Sequence, residues 1–178
     1  MTTIESTVRP AVPADLGALA ALAALTFPLA CPPGSTAQDQ QEFIDTVLST
    51  ERFAEYLEDP RRAVLVAEDQ GLVGYTMLVA GEPADDDVRA ALHLRPTIEL
   101  SKCYVHPDHH GAGIANALMT ASLEVARSRG AAGIWLGVNQ QNARARAFYE
   151  RSGFAVVGTK HFTVGTRVED DYVLERPL

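Results

Sequence analysis

A turn of small residues joins a predicted strand to a predicted helix near the middle of the chain, at His110-Gly111-Ala112-Gly113-Ile114-Ala115. Apolar residues recur at helical spacing after this turn, and Gly130 ends the helix that the spacing predicts. A helix N-terminus carries about half a positive elementary charge, and glycines leave its backbone N–H groups open to a ligand. The turn therefore predicts a binding site for an anion such as pyrophosphate.

Two common phosphate-binding motifs do not fit this turn. A P-loop requires Gly-Lys-Ser/Thr, whereas Ile114 and Ala115 follow Gly113. A dinucleotide-binding fingerprint requires a third glycine where this chain has Asn116. We therefore expect a different scheme of phosphate binding.

A second block of candidate functional residues follows one helix and one strand later. Ile134–Val138 is typical of a buried strand, and the run from Asn142 to Phe154 matches the pattern N-x-x-A-x-x-F-Y-x-x-x-G-F at every fixed position. Together the two blocks resemble the GNAT superfamily of acyl-CoA N-acyltransferases, whose first signature is R/Q-x-x-G-x-G/A. The chain departs from that signature at its leading position, which is His110.

The resemblance implies a fold and a cosubstrate. The fold would be α/β, with a mixed, mostly antiparallel sheet flanked by helices and with central strands that splay apart. The cosubstrate would be acetyl-CoA. The residues that the resemblance assigns to its binding are Tyr104, Val105, His110, Gly111, Ala112, Gly113, Ile114, Ala115, Asn142, Arg144, Phe148 and Tyr149.

Acetyl transfer from a thioester to an amine needs a base, a donor to the oxyanion and an acid for the leaving thiolate. By resemblance, the Val105 N–H is the oxyanion donor and Tyr149 is the acid, since a phenol with a pKa of about 10 can share its proton with a thiol. Glu99 matches the strand glutamate that serves as base in some family members, and burial would have to raise its pKa. His93 and His106 are reserve candidates for the base.

Each of these residues also has a structural interpretation. The Val105 N–H could belong to an ordinary ladder, Tyr149 could be a packed aromatic, and Glu99 could be a solvated charge or a substrate anchor. Asn142 could act only as a helix cap. Arg144 and its neighbour Arg146 could reach a phosphate or lie on a solvated helix face.

Within the superfamily, the chain most resembles the bacterial PaiA-type polyamine acetyltransferases. The residues that carry this finer resemblance are Thr26-Phe27, Glu99 before Tyr104-Val105, and Ile134–Val138 before the Phe148-Tyr149 motif. The acidic stretch Gly81–Arg95 departs from that subfamily, and it bears on the acceptor pocket. We expect acceptor walls from the region Phe27–Tyr56 and from Gly81–Arg95.

Capping and turn residues in the sequence predict the helices and strands that position these candidate residues. Asp15 is expected to cap the first helix, and Asp69-Gln70-Gly71 to connect a hairpin. Cys31 lies in a predicted loop. The predicted elements outside the two motif blocks are a strand over Thr3–Arg9, helices ending at Thr26 and covering Gln38–Leu48 and Arg52–Glu58, and strands over Ala63–Glu68, Leu72–Val79, Phe154–Val164 and Glu169–Leu174.

Composition predicts one soluble domain over residues 1–178, since 47% of its residues are hydrophobic and no linker interrupts it. The apolar segment Leu16–Leu29 is expected to be too short to span a membrane, which predicts a cytoplasmic protein with reduced cysteines and no membrane partner. A net charge of −8 makes nucleic acid an unsuitable partner and favours a small cationic acceptor, polyamine-like.

Other functions stay open at this point. The acceptor could instead be an aminoglycoside-like amine or a protein amine, and a CoA-binding sensor without turnover would keep the same loop. His106, Asp108, His109 and His110 suggest a metal site or a zinc hydrolase, but adjacent histidines in a turn rarely converge on one ion, so no metal is expected. Cys103 is the one candidate acyl-carrying nucleophile. The sequence leaves pairing of sheet edges in a homodimer undecided.

Overall fold

A computed structural model describes residues 7–178. Seven strands form one sheet in the order β1-β2-β3-β4-β5-β7-β6, and all neighbouring pairs are antiparallel except β4 with β5. The strands are β1 Thr7–Pro10, β2 Arg62–Glu68, β3 Leu72–Ala80, β4 Thr97–Val105, β5 Gly133–Asn139, β6 Ala155–Val164 and β7 Arg167–Pro177. The helices are α1 Leu16–Ala30, α2 Ala37–Val47, α3 Thr50–Glu58, α4 Asp86–Ala91, α5 Ile114–Ser128 and α6 Ala143–Arg151.

This architecture confirms the predicted α/β fold with a mixed, mostly antiparallel sheet. The β2–β3 hairpin forms around Asp69-Gln70-Gly71 as predicted, and α5 ends just before Gly130. The predicted N-terminal strand is present from Thr7 onward, and its first residues lie outside the described part of the chain.

The first helix differs from the prediction in length and in its cap. It continues past Thr26 to Ala30, with Pro28 in its last turn. Asp15 precedes it without a side-chain capping bond, because its carboxylate accepts two hydrogen bonds from Arg9 and one from the Val12 N–H. Those bonds lower the pKa of Asp15.

The continuous helical stretch Pro13–Ala30 has 18 residues and is long and apolar enough to cross a membrane by length and composition alone. The expectation that this segment is too short was therefore wrong. Its side chains Leu19, Leu22 and Phe27 are buried in a core cluster with β2 and β3, as expected of a helix that packs on a sheet.

The acidic stretch Gly81–Arg95 contains the short helix α4, which is not among the elements predicted from the sequence. The Asp85 carboxylate accepts hydrogen bonds from the N–H groups of Asp87 and Val88 and caps this helix. Val88 packs in a small cluster with Trp135, which is buried as predicted.

Apolar side chains cover both faces of the sheet. The helices α1 to α3 pack on one face around Phe53 and Tyr75, and α5 packs on the other through Leu118 and Met119. Removing each such side chain from water stabilises the fold by about 1.5–3 kcal/mol.

The parallel pair at the centre of the sheet is short. Only Thr97–Glu99 of β4 pairs with Gly133–Trp135 of β5, and beyond these residues the two strands separate. The predicted splay of the central strands is thus confirmed.

Candidate active site

A pocket of about 700 Å³ opens where β4 and β5 separate. Its volume suits a small-molecule ligand, for which about 300–1,000 Å³ is typical. The pocket is bordered by the end of α1, the strands β4, β5 and β6, the start of α5, and α6. It therefore connects the glycine turn to the second motif block.

Backbone geometry orients the last residues of β4 towards this gap. The His106 N–H donates to the carbonyl of Val73 at 2.7 Å, and so faces β3. Successive N–H groups of a strand point to opposite edges, so the Val105 N–H faces the gap. The Val105 carbonyl faces the same way and is 3.0 Å from Nε2 of His110.

The glycine turn forms an open backbone surface at the start of α5. Gly111 and Gly113 have φ values of +83° and +82°, and an added Cβ at either position would meet no atom within 4 Å. The N–H groups of a helix's first turn have no partner within the helix. Four of the residues predicted to bind the cosubstrate, His110, Gly111, Gly113 and Ala115, line the pocket together with Asn116.

Two residues of the predicted anion site do not line the pocket. Ala112 lies in the exposed turn, and the Ile114 side chain is buried in the core against β2 and β3. Only its backbone N–H is available for binding, because the apolar periodicity of α5 begins with its side chain.

The residues of the second motif block border the same pocket. Asn142 caps α6 by accepting a hydrogen bond from the Ala145 N–H, and Asn142, Arg144 and Phe148 line the cavity. Arg146 points elsewhere, because its guanidinium donates to the Gln140 carbonyl and lies over the ring of Tyr172.

Tyr149 lies in the pocket next to Cys103 of β4. Burial is the largest cause that raises the pKa of Tyr149 well above its usual value, so the phenol stays protonated at neutral pH. Burial also raises the pKa of Cys103 to about 12, which keeps the thiol protonated and weakens it as a nucleophile. Tyr104 lines the pocket as well and stacks on Tyr75.

Glu99 lines the pocket from β4, on the face covered by α1 to α3. Burial raises the pKa of its carboxyl group, although the positive charges of Lys160, Lys102 and Arg62 oppose the rise. A raised pKa is what the proposed role of Glu99 as base requires.

Three charged residues of the pocket were missed by the sequence reasoning. Lys102 follows Glu99 on β4, and burial lowers its pKa to about 8. Lys160 of β6 lies 3.6 Å from the Asp171 carboxylate of β7, and no group in the described part of the chain makes a hydrogen bond to the buried Oδ1 of Asp171. One sequence signal was available: among 15 lysines and arginines, Lys102 and Lys160 are the only lysines.

A bulge in β4 brings Glu99 and Lys102 to the same face. Met77 of β3 pairs with Lys102 and the next residue Leu78 pairs with Leu100, which leaves Ser101 as an extra residue. An extra residue reverses the alternation of side chains, so that Glu99 and Lys102 share a face although they are three residues apart.

Aromatic side chains form a wall of the pocket beside Lys102 and Lys160. Phe27 stacks on Phe43 with ring centroids 4.4 Å apart, and Phe162 of β6 meets Phe43 edge-on at 5.7 Å. The expected wall from residues 27–56 is thus present at Phe27 and Phe43. Tyr56 lies outside it, because its ring is buried and its hydroxyl donates to the Val47 carbonyl.

The prediction that Gly81–Arg95 forms another wall of the pocket was wrong. No residue of Gly81–Arg95 lines the pocket, because α4 packs on β6 and the His93 N–H donates to Glu175. His93 is therefore no candidate for the base. His106 does not line the pocket either, since its ring accepts a hydrogen bond from the Asp108 N–H.

The histidines of the turn have separate partners. His109 lies 3.8 Å from Asp69, while His110 contacts Val105. Within residues 7–178 there is no group of three or more His, Cys, Asp or Glu side chains placed to hold a metal ion.

Comparisons with known proteins agree with this geometry. A sequence model described as the acetyltransferase (GNAT) family matches residues 29–154. An uncharacterized N-acetyltransferase of Mycobacterium tuberculosis (strain H37Rv) is 48% identical over 165 residues, which cover 92% of this chain and 98% of that protein.

Solved structures share the fold. A PaiA N-acetyltransferase from Thermoplasma acidophilum, in complex with coenzyme A, has a TM-score of 0.77 at 17% identity and covers 98% of this chain and 99% of its own. A ribosomal-protein-alanine N-acetyltransferase from Brucella melitensis has a TM-score of 0.72 at 27% identity, with 97% and 99% covered.

Proposed function

Because this chain belongs to the acetyltransferase (GNAT) family and is an acetyl-CoA-dependent N-acetyltransferase, we propose that it transfers acetyl directly to the primary amine of a small acceptor. The observation that carries the proposal is the gap between β4 and β5, with the Val105 N–H facing it. No covalent acyl-enzyme is required, since the buried Cys103 thiol is a weak nucleophile.

The residues of the pocket fit acetyl-CoA. The N–H groups at the start of α5 suit a pyrophosphate, because the glycines leave the approach open. Asn142, Arg144, Phe148 and Tyr104 border the path between this turn and the gap. Acetyl-CoA, when bound, supplies the acetyl thioester.

Glu99 is the proposed base. An alkylamine is mostly protonated at neutral pH, and a carboxylate within the pocket both attracts the cation and accepts its proton, directly or through water. Burial raises the pKa of Glu99, which makes it a stronger base than an exposed carboxylate.

Val105 and Tyr149 complete the proposed machinery. The Val105 N–H donates a hydrogen bond to the acetyl oxygen as negative charge develops on it. Tyr149 is protonated at neutral pH and is the proposed donor of a proton to the departing sulfur. Its raised pKa makes it a weaker acid than a free phenol, so the transfer depends on the basicity of the thiolate that leaves.

For the acceptor, a polyamine-like cation is the first class to test. Glu99 and Asp171 line the pocket, Oδ1 of Asp171 has no hydrogen-bond partner within the described residues 7–178, and the chain has a net charge of −8. Aminoglycoside-like amines and protein amines are the alternatives from the sequence. Lys102 and Lys160 favour a second class of acceptor, one that also carries a negative charge.

We further propose that residues 1–178 form a single cytoplasmic domain. All seven described strands belong to one sheet, which supports this organisation.

The test is thiol release from acetyl-CoA with a panel of amines that includes spermidine and spermine. Amine-dependent release is expected, with the acetylated amine identified by mass spectrometry. Tight binding of acetyl-CoA with no amine-dependent release from any acceptor would instead support a CoA-binding sensor without turnover.

A further inference from the structure

The acceptor half of the pocket, defined by Phe27, Phe43, Glu99, Lys102, Lys160, Phe162 and Asp171, contains charges of both signs. Its ammonium groups belong to the only lysines of the sequence. Both lysines are largely buried, with 9% of Lys102 and 14% of the Lys160 side chain exposed. A lysine that only maintains solubility would lie in solvent.

The positive charge of Lys102 is not balanced by a direct partner. Among residues 7–178, no carboxylate lies within 4 Å of its ammonium nitrogen, which is 6.0 Å from the centre of the Phe43 ring. The charges that act on it at longer range are the Glu99 carboxylate and the guanidinium groups of Arg62 and Arg52. Buried cations are normally paired or hydrogen-bonded, because leaving water is costly for a charge. Lys102 is therefore suited to an anionic group supplied by the ligand.

The carboxylates of the pocket can also accept hydrogen bonds from a ligand. Lys160 is 3.6 Å from Oδ2 of Asp171, a distance too long for a hydrogen bond, and Oδ1 of Asp171 has no partner among residues 7–178. Glu99 lies on the same face of β4 as Lys102. A ligand that complements this half of the pocket carries both an ammonium and an anionic group.

The aromatic wall adds an apolar requirement. Phe43 packs against both Phe27 and Phe162, and the three rings border the cavity beside the lysines: Nζ of Lys102 is 6.0 Å from the centre of the Phe43 ring and Nζ of Lys160 is 5.1 Å from that of Phe162. An aliphatic or aromatic group on the ligand would remove this surface from water. A linear polyamine also carries methylene segments, but its further ammonium groups would meet Lys102 and Lys160.

We propose that the acceptor is a zwitterion of the α-amino-acid class with an apolar side chain. Lys102, assisted by Lys160, binds its carboxylate; Glu99 and Asp171 receive its ammonium group; and the aromatic wall holds its side chain. This inference rests on the proposed function, since it specifies the amine of the same transfer.

The first test compares L-phenylalanine with phenethylamine, which lacks only the carboxylate, and with spermidine, by thiol release from acetyl-CoA. L-Phenylalanine is expected to have a kcat/KM at least about tenfold above that of phenethylamine, since a charge-assisted contact is lost in the latter. Equal values for the pair, or a preference for spermidine, would overturn the inference and leave the proposed function intact. No release with any amine would defeat both.

The second test uses variants of one lysine. Lys102→Gln is expected to lower the ratio of kcat/KM for L-phenylalanine to that for phenethylamine about tenfold, since any effect of the lost charge on Glu99 acts on both amines. Lys102→Arg keeps the charge and should retain most of the preference. Arg127→Gln removes the same charge from the exposed side of α5 and serves as the control. A preference that persists in Lys102→Gln would refute the assignment of Lys102.

A binding measurement checks the inference without turnover. N-Acetyl-L-phenylalanine is expected to bind the wild-type protein in the presence of CoA more tightly than N-acetylphenethylamine, as measured by calorimetry. Equal affinity of the two would count against a carboxylate site even if the lysine variants fail to fold.

Discussion

Nε2 of His110 lies 3.0 Å from the carbonyl oxygen of Val105. The contact joins the residue before the glycine turn to the strand residue whose N–H faces the gap. Two parts of the proposed acetyl-CoA site are thereby held together by one side chain, at the position where the chain departs from the family signature.

We expect His110→Ala to weaken acetyl-CoA binding about fivefold, since a hydrogen bond of this kind contributes about 1 kcal/mol. Calorimetric titration with acetyl-CoA measures this directly. His110→Gln, which keeps a donor, is the matched control and should lose less affinity. An unchanged Kd in His110→Ala would show that the contact does not position the turn.

Replacement of Tyr149 by phenylalanine should lower kcat about 100-fold, within the range of general acid catalysis, and change the Kd for acetyl-CoA little. The buried phenol is protonated at neutral pH, so the effect should not depend on pH between about 6 and 8. Steady-state rates combined with calorimetry separate the two quantities. Full activity of the variant would assign Tyr149 to packing alone.

The acidic limb of the pH profile should report Glu99. Its carboxyl is active when deprotonated, so kcat/KM for the acceptor falls as the pH decreases through its pKa, which burial raises above the usual carboxylate value. Lys160, Lys102 and Arg62 face this group and limit the rise. In Glu99→Gln the rate should drop and that limb should disappear; a limb that persists would belong to another group.

Gly137 provides a test of the acceptor side. An added Cβ would lie 2.5 Å from Cε of Lys160 and 3.4 Å from Asp171, so Gly137→Ala must displace the lysine. We expect KM for the acceptor to rise several-fold. Gly17→Ala in α1, where an added Cβ meets nothing within 4 Å, is the control and should be stabilised by about 0.5–1 kcal/mol. Equal acceptor KM in both variants would contradict the prediction.

Cys103→Ala should retain activity within a few-fold. The pKa of the thiol is about 12, so almost no thiolate exists at neutral pH to carry an acyl group. Initial-rate kinetics should show intersecting rather than parallel lines, as expected of direct transfer. Loss of turnover with parallel lines in the wild type would favour a covalent route.

The parts of the fold that follow local rules were predictable from the sequence. Glycine turns, helical spacing and the hairpin at Asp69-Gln70-Gly71 depend on neighbouring residues, and the structure confirms them. The helix α4 was missed because its cap Asp85 stands in a run of acidic residues that is equally typical of a loop.

The acceptor half of the pocket was less predictable, since it depends on contacts between distant strands. Lys160 and Asp171 meet only because β6 and β7 pair in one register, and Glu99 joins Lys102 only through the bulge at Ser101. No local pattern encodes either event. The expected wall at Gly81–Arg95 failed for the same reason, because packing on β6 was not visible in its residues.

The confinement of Lys102 and Lys160 to one cavity has a practical consequence. Apart from the terminal amine, an amine-reactive ester meets only ammonium groups that border this cavity. Covalent labelling is therefore an occupancy sensor: a bound molecule should protect both side chains at once, and the extent of labelling should report how much of the cavity it fills.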